Sequence, residues 1–91
     1  MIITPDRKAL YDLSVGVSMA PLQGSTNVKA VGYDPKTGTL FIDYHRGRTY
    51  AYAGIPPELH SNIIAAESPG RFLHENVIGQ PQFRSQEVTT P

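Results

Sequence analysis

Two neighbouring segments of this 91-residue chain concentrate aromatic and basic side chains. Tyr50 and Tyr52 are two residues apart, so on a β-strand their rings would share one face at about 6.6–7 Å. Exposed rings at that spacing can stack successive bases of a single strand. Just before them, His45, Arg46 and Arg48 surround a glycine, and arginine binds phosphate through paired hydrogen bonds and stacks on bases. These residue types predict a ligand site at one hairpin.

The same two segments also have structural explanations. Tyr50 and Tyr52 are expected to line the inner face of the hairpin, where buried rings pack and only their hydroxyls reach polar partners. The deduced hairpin register favours this packing role for the pair. An Arg-Gly-Arg sequence is also typical of a solvated turn, so phosphate contact and simple solubility both stay open for Arg46 and Arg48.

A third arginine, Arg71, follows Ser68-Pro69-Gly70, which predicts the start of a helix. Backbone N–H groups at a helix N-terminus suit an anion, and this helix should pack beside the same end of the sheet. Arg71 is therefore a candidate third phosphate donor, with an ordinary helix cap as the alternative explanation. Residues 25–54 hold four cations against two carboxylates, whereas residues 55–91 hold two arginines against four glutamates. The basic excess lies in the segment that carries the hairpin.

The sequence lacks the patterns of catalytic and metal sites. It contains no cysteine, and His45, His60 and His74 are 15 and 14 residues apart, which fits no helical or strand spacing of metal ligands. It has no nucleophile elbow, zinc-protease or phosphate-loop motif. Asp43 near His45 is the closest approach to an acid–base pair, and a surface ion pair explains it equally well. We therefore expect no enzyme activity, no metal and no cofactor.

Charge balance and the lengths of apolar segments limit the classes of binding partner and the cellular location that we expect. Eight Lys and Arg residues balance eight Asp and Glu residues, whereas a protein that binds long duplex DNA usually carries a basic excess. The longest aliphatic run is residues 63–66, far below the roughly 18 apolar residues of a membrane-spanning helix. The N-terminus carries no basic signal segment. The sequence predicts a small cytoplasmic protein that binds neither membranes nor long duplexes.

The middle of the chain predicts an antiparallel sheet. Three segments rich in β-branched and aromatic residues are separated by turn residues: 28–33, 39–44 and 48–53. With Gly47 in a left-handed conformation within a three-residue loop, Ile42 faces Tyr50. Two residues further from that loop, Leu40 faces Tyr52. These side chains then lie on one face of the sheet.

Helical patterns flank the predicted sheet. Thr4-Pro5-Asp6 predicts the start of a short helix with Leu10 and Leu13 on one face. After the sheet, residues 55–58 and 68–70 each place a proline early in a helix. We expect an α+β domain of two layers, in which a three-stranded antiparallel sheet packs against two short C-terminal helices.

This pattern divides the chain into three parts. Residues 1–24 are expected to form an N-terminal arm, residues 25–83 the domain, and residues 84–91 a flexible tail. A three-stranded sheet leaves two uncovered edges, which invite pairing with the arm or with a second copy. We therefore expect a homo-oligomer.

An ordered series of short motifs identifies a family resemblance. The chain resembles the KTSC domain, a small module found at the C-terminus of some lysyl-tRNA synthetases and alone in bacterial and phage proteins. The hallmark of that domain is a central Tyr-x-Tyr, here Tyr50-Ala51-Tyr52. The other matching pieces are Ser25-Thr26-Asn27-Val28, Val31-Gly32-Tyr33-Asp34, Gly38-Thr39-Leu40-Phe41-Ile42, Ile55-Pro56, Ala66-Glu67-Ser68-Pro69-Gly70 and Phe72-Leu73-His74. Because the domain is fused to some lysyl-tRNA synthetases, the resemblance implies an RNA ligand. The family has no known active site that could be transferred to this chain.

Together these features predict a small non-enzymatic binding module. Its ligand is expected to be a small or cyclic nucleotide or a short single-stranded RNA. One specific hypothesis is that the protein is a phage-type oligomeric sponge, which sequesters a nucleotide signal. The alternative is a protein–protein adaptor or inhibitor that acts through a sheet edge or the N-terminal arm. An exposed Phe41 would favour the adaptor. The predicted ligand-binding residues are His45, Arg46, Arg48, Tyr50, Tyr52 and Arg71.

Overall fold

The computed structural model describes residues 7–89, and within that range five strands pair into one antiparallel sheet, in chain order. The strands are β1 (Ala20–Pro21), β2 (Val28–Asp34), β3 (Thr39–Tyr44), β4 (Thr49–Tyr52) and β5 (Ser85–Val88). The same range contains three helices: α1 (Arg7–Val15), α2 (Pro57–Ala65) and α3 (Pro69–Asn76). The fold is α+β, as the sequence predicted. Across residues 7–89, no helix has the length and apolar character needed to cross a membrane.

The hairpin of β3 and β4 has the predicted register. Ile42 lies opposite Tyr50, and Leu40 lies opposite Tyr52. The loop closes because Gly47 adopts a φ of +88°, a left-handed conformation that glycine enters without steric cost. The Gly47 amide donates to the Tyr44 carbonyl at 2.9 Å. The turn chemistry therefore fixes which side chains share each face of the sheet.

The larger core lies between the sheet and the two later helices. Leu40 and Ile42 from β3 are fully buried against Ile63 of α2 and Leu73 of α3. The prolines at the starts of α2 and α3 supply a preset φ at a position that needs no intrahelical N–H donor. The buried members of this cluster are Val28, Val31, Leu40, Ile42, Tyr52, Ile55, Ile63, Leu73 and Val77.

The opposite face of the sheet is covered as well, which corrects the two-layer prediction. Leu10 of α1 packs against Phe41 and Ala51 in a second buried cluster, with Leu13 partly buried beside them. The predicted helix start at Thr4-Pro5-Asp6 lies outside the described residues. Because Phe41 is completely buried, both faces of β3 serve as core, and the sheet is the middle layer of three.

The two outer strands correct the three-stranded prediction. The expected arm contains β1, which pairs with β2, and the expected flexible tail contains β5, which pairs with β4. Neither segment has a strong strand sequence: β1 is two residues that include a proline, and β5 is Ser-Gln-Glu-Val. Their pairing comes from the unsatisfied backbone groups of the neighbouring strand, which local sequence does not reveal.

Candidate functional site

An open groove lies at the end of the sheet where β3 turns into β4. Its volume is about 640 Å³, and its lining residues are Thr26, Asn27, Tyr44, His45, Arg46, Arg48, Tyr50 and His74. Ligand sites in proteins commonly enclose about 300–1,000 Å³. Four of the six predicted ligand-binding residues therefore meet in one place: His45, Arg46, Arg48 and Tyr50.

Two tyrosine rings form the aromatic wall of the groove. Tyr44 and Tyr50 are both half-buried, and their rings meet edge to face with centroids 5.8 Å apart. The Tyr44 hydroxyl is 3.0 Å from the Tyr52 hydroxyl. Burial, followed by this hydrogen bond, raises the pKa of Tyr44 well above its ordinary value. The Tyr44 hydroxyl is therefore neutral at physiological pH.

Tyr52 does not belong to the groove. Its side chain is only 6% exposed and is part of the larger core, so the structure does not bring it together with the other predicted ligand contacts. Tyr50 and Tyr52 share a face, as expected, but Tyr52 is buried within the core, whereas Tyr50 is half-buried and packs against it. The packing role predicted for the pair therefore describes Tyr52, and Tyr50 keeps a partly exposed ring in the groove.

A short segment before β2 forms the opposite wall. The His45 backbone N–H donates to the Asn27 carbonyl at 2.9 Å, and the His45 ring nitrogen Nε2 lies 3.1 Å from the Ser25 carbonyl. A carbonyl only accepts, so His45 Nε2 carries the proton. On the other side, the Asn27 side-chain amide lies 3.3 Å from His74 Nε2, which accepts its hydrogen. Two histidines thus hold residues 25–27 in position.

The charges around the groove favour an anion. Arg46 and Arg48 are exposed at the hairpin, and no carboxylate is among the described residues that line the groove. Arg48 Nε is 4.0 Å from Glu87 Oε2 of β5, a long and solvent-exposed pair. Exposed pairs contribute little energy, so this pair leaves Arg48 available to a ligand.

Arg71 lies beside the groove and does not line it. It is the third residue of α3 and borders a second depression together with Gly70 and Ser25. Its guanidinium forms an ion pair with Glu75, with Nε and Oε1 2.9 Å apart. The structure therefore places the third predicted arginine next to the other two without joining them in one groove.

The structure does not bring the suggested acid–base pair together. Asp43 accepts a hydrogen bond from the Thr49 hydroxyl and borders a depression under α1, whereas His45 lines the groove. Within residues 7–89, no cluster of three His, Cys, Asp or Glu side chains could hold a metal ion. What the groove offers is charge, hydrogen bonds and an aromatic surface.

Sequence reasoning did not identify four of the groove residues. Tyr44 had a usable signal, because it continues the alternation of Leu40 and Ile42 toward the hairpin loop. Thr26 and Asn27 lie before β2, and His74 lies on α3. The segments that carry these three residues are far apart in the chain and meet the hairpin only through the tertiary fold.

Comparison with known proteins gives a consistent result. The family model described as the KTSC domain matches residues 24–80. A protein from Tsukamurella paurometabola is 42% identical over 67 residues, which cover 74% of this chain and 96% of that protein. A crystal structure of a KTSC domain protein from Yersinia pestis has a TM-score of 0.71 and 31% identity, and the match covers 81% of this chain and all of the other. A lysine–tRNA ligase from Nostoc punctiforme is 29% identical over 83 residues, which cover 91% of this chain and 14% of the ligase.

Proposed function

This chain belongs to the KTSC domain family, and we propose that it is a small, non-enzymatic module that binds a phosphate-bearing ligand. One observation carries the proposal: His45, Arg46 and Arg48 share a carboxylate-free groove with the half-buried ring of Tyr50. Guanidinium groups pair with phosphate oxygens in two parallel hydrogen bonds. A tyrosine ring beside them provides a surface on which a base can stack.

The ligand that fits this combination is a nucleotide or a short single-stranded RNA. A base and a phosphate on one molecule would use the ring and the arginines together. The balanced net charge argues against a long duplex, whose binding depends on many cationic contacts. The resemblance to one part of a lysine–tRNA ligase also supports an RNA ligand.

The adaptor alternative has less support. Its expected sign was an exposed Phe41, but that side chain is completely buried beneath α1. Strand addition would use β1 or β5, which end the sheet among the described residues. The same edges support self-association, and with it a sponge that sequesters a nucleotide. Light scattering would return a mass above 10.0 kDa for an oligomer, and a mass of one chain would contradict it.

The binding proposal is tested by fluorescence anisotropy with a labelled single-stranded adenosine oligonucleotide. The double variant Arg46→Ala/Arg48→Ala should bind at least about 100-fold more weakly, since it removes two charge-assisted contacts of about 1.5–3 kcal/mol each. Arg84→Ala is the matched control, because Arg84 is exposed and lies just before β5, beside the end of β4 that is farthest from the hairpin loop. Wild-type affinity in the double variant, or an equal loss in the control, would contradict the proposal.

A further inference from the structure

The groove continues into a second depression around residues 25–27. This second depression has a volume of about 290 Å³. Three residues border both spaces: Thr26, Asn27 and His74. The two spaces are therefore neighbours, which we call the two lobes, and the three residues that they share are exposed.

The second lobe is built for hydrogen bonding. Gln23, Ser25, Thr26, Asn27 and Ser68 line it, and their amides and hydroxyls can each pair with sugar hydroxyls or base edges. The lobe has this shape because Gly70 has no side chain. A Cβ at Gly70 would stand 2.7 Å from Ser25 Oγ, so a larger residue would push the segment before β2 away from α3.

The second lobe also has its own cation. Arg71 borders it, and no described carboxylate lines it. The ion pair of Arg71 with Glu75 is solvent-exposed on both sides, with relative side-chain exposures of 79% and 58%. Such a pair contributes little, so Arg71 can exchange Glu75 for a phosphate at small cost.

We infer that the groove and the second depression together bind two joined nucleotide units, one per lobe. This inference rests on the proposed function and adds the size of the ligand. The first unit stacks on Tyr50 with its phosphate on Arg46 and Arg48. The second unit lies against the polar side chains of residues 23–27, with its phosphate on Arg71. A linear RNA and a cyclic dinucleotide share this chemistry.

The test compares three probes by calorimetric titration: AMP, the linear dinucleotide pApA and cyclic di-AMP. We expect pApA to bind at least tenfold more tightly than AMP. Arg71→Ala should weaken the binding of pApA by about tenfold, the loss of one charge-assisted contact, and should weaken the binding of AMP less, because AMP can still occupy the groove with Arg46 and Arg48. Arg46→Ala should weaken both. A higher affinity for cyclic di-AMP than for pApA would indicate a cyclic signal, and a lower affinity would indicate an RNA segment.

A second variant guards against an indirect effect of losing the ion pair. Glu75→Gln removes the competing carboxylate and keeps Arg71, so it should strengthen the binding of pApA by a few-fold at low salt. Equal affinity of AMP and pApA, or an unchanged affinity of pApA in Arg71→Ala, would overturn the two-lobe inference alone. Failure of all three probes to bind would overturn both this inference and the proposed function.

Discussion

Tyr50 and Tyr52 lie on one strand and one face, and they have different environments. At the closed end of this face, Tyr52 packs in the core with residues of α2 and α3. At the open end, Tyr50 is half-buried and borders the groove. Both residues belong to one motif, so the difference comes from the tertiary packing around each ring and not from the motif. A Tyr-x-Tyr strand can thus place one tyrosine in the core and the other in an open groove.

The largest expected effect is on stability at the closed end. Tyr52→Ala should lower the free energy of unfolding by about 3–5 kcal/mol, the usual cost of truncating a buried aromatic residue. Tyr50→Ala should cost clearly less, because that side chain is only partly buried. Chemical denaturation of both variants measures the contrast. Equal losses would mean that the two ends do not differ.

The second prediction concerns binding at the open end. Tyr50→Ala should weaken the binding of an adenosine oligonucleotide by about 1–3 kcal/mol, the contribution of stacking one base on an aromatic ring. Tyr50→Phe keeps the ring and should bind like the wild type, which separates stacking from hydrogen bonding. Anisotropy titrations decide it, and a loss in Tyr50→Phe equal to that in Tyr50→Ala would exclude stacking as the cause.

The third prediction concerns the contact between the two ends. Tyr52→Phe removes the hydrogen bond between the Tyr52 and Tyr44 hydroxyls and should cost about 0.5–1.5 kcal/mol of stability. It should also lower the raised pKa of Tyr44, because that hydrogen bond is the second cause of the shift after burial. Ultraviolet titration of the tyrosines follows the change. An unchanged pKa of Tyr44 in this variant would show that the hydrogen bond does not contribute to the shift.

The smallest expected effect is a pH dependence at the closed end. His60 stacks on Tyr33 with ring centroids 4.5 Å apart, and desolvation lowers the pKa of His60. A lowered pKa in the folded state means that the unfolded chain binds the proton more readily. Stability should therefore fall as the pH drops below the ordinary histidine value of 6.5.

The control for this prediction is His60→Phe, which keeps an aromatic ring against Tyr33 and cannot be protonated. Thermal melts at pH 7.5 and pH 5 should show a smaller acid-induced decrease in melting temperature for the variant than for the wild type. An identical decrease in both proteins would assign the acid sensitivity to groups other than His60.

Local sequence was sufficient to predict the central strands of the sheet and insufficient to predict its two outer strands. Turn residues and alternation predicted the register of β3 and β4, because both are set by neighbours along the chain. Both β1 and β5 escaped prediction, because a neighbouring strand templates them. The apolar residues Leu10 and Leu13 did signal a helix face, but nothing in the sequence showed that this face would cover Phe41.

The groove also contains one part that the sequence predicted and one part that it did not. His45, Arg46, Arg48 and Tyr50 come from one hairpin, so their meeting followed from the predicted loop. The opposite wall comes from the segment before β2 and from α3. Its contribution depends on long-range contacts such as that between Asn27 and His74. Residues brought together only by tertiary packing leave no spacing pattern in the sequence.

The most direct test of the central claim is an NMR titration of the isotopically labelled protein with pApA. If the open end is the binding surface, the largest backbone amide shifts will lie in residues 25–27 and 44–50 and at His74. The strand β5 and the helix α1 will be nearly unaffected, and Arg46→Ala/Arg48→Ala will strongly reduce the shifts in residues 44–50 at the same concentration of pApA. Shifts centred on Ser85–Val88 or on α1 would instead place binding at the sheet edge or the opposite face and contradict the account.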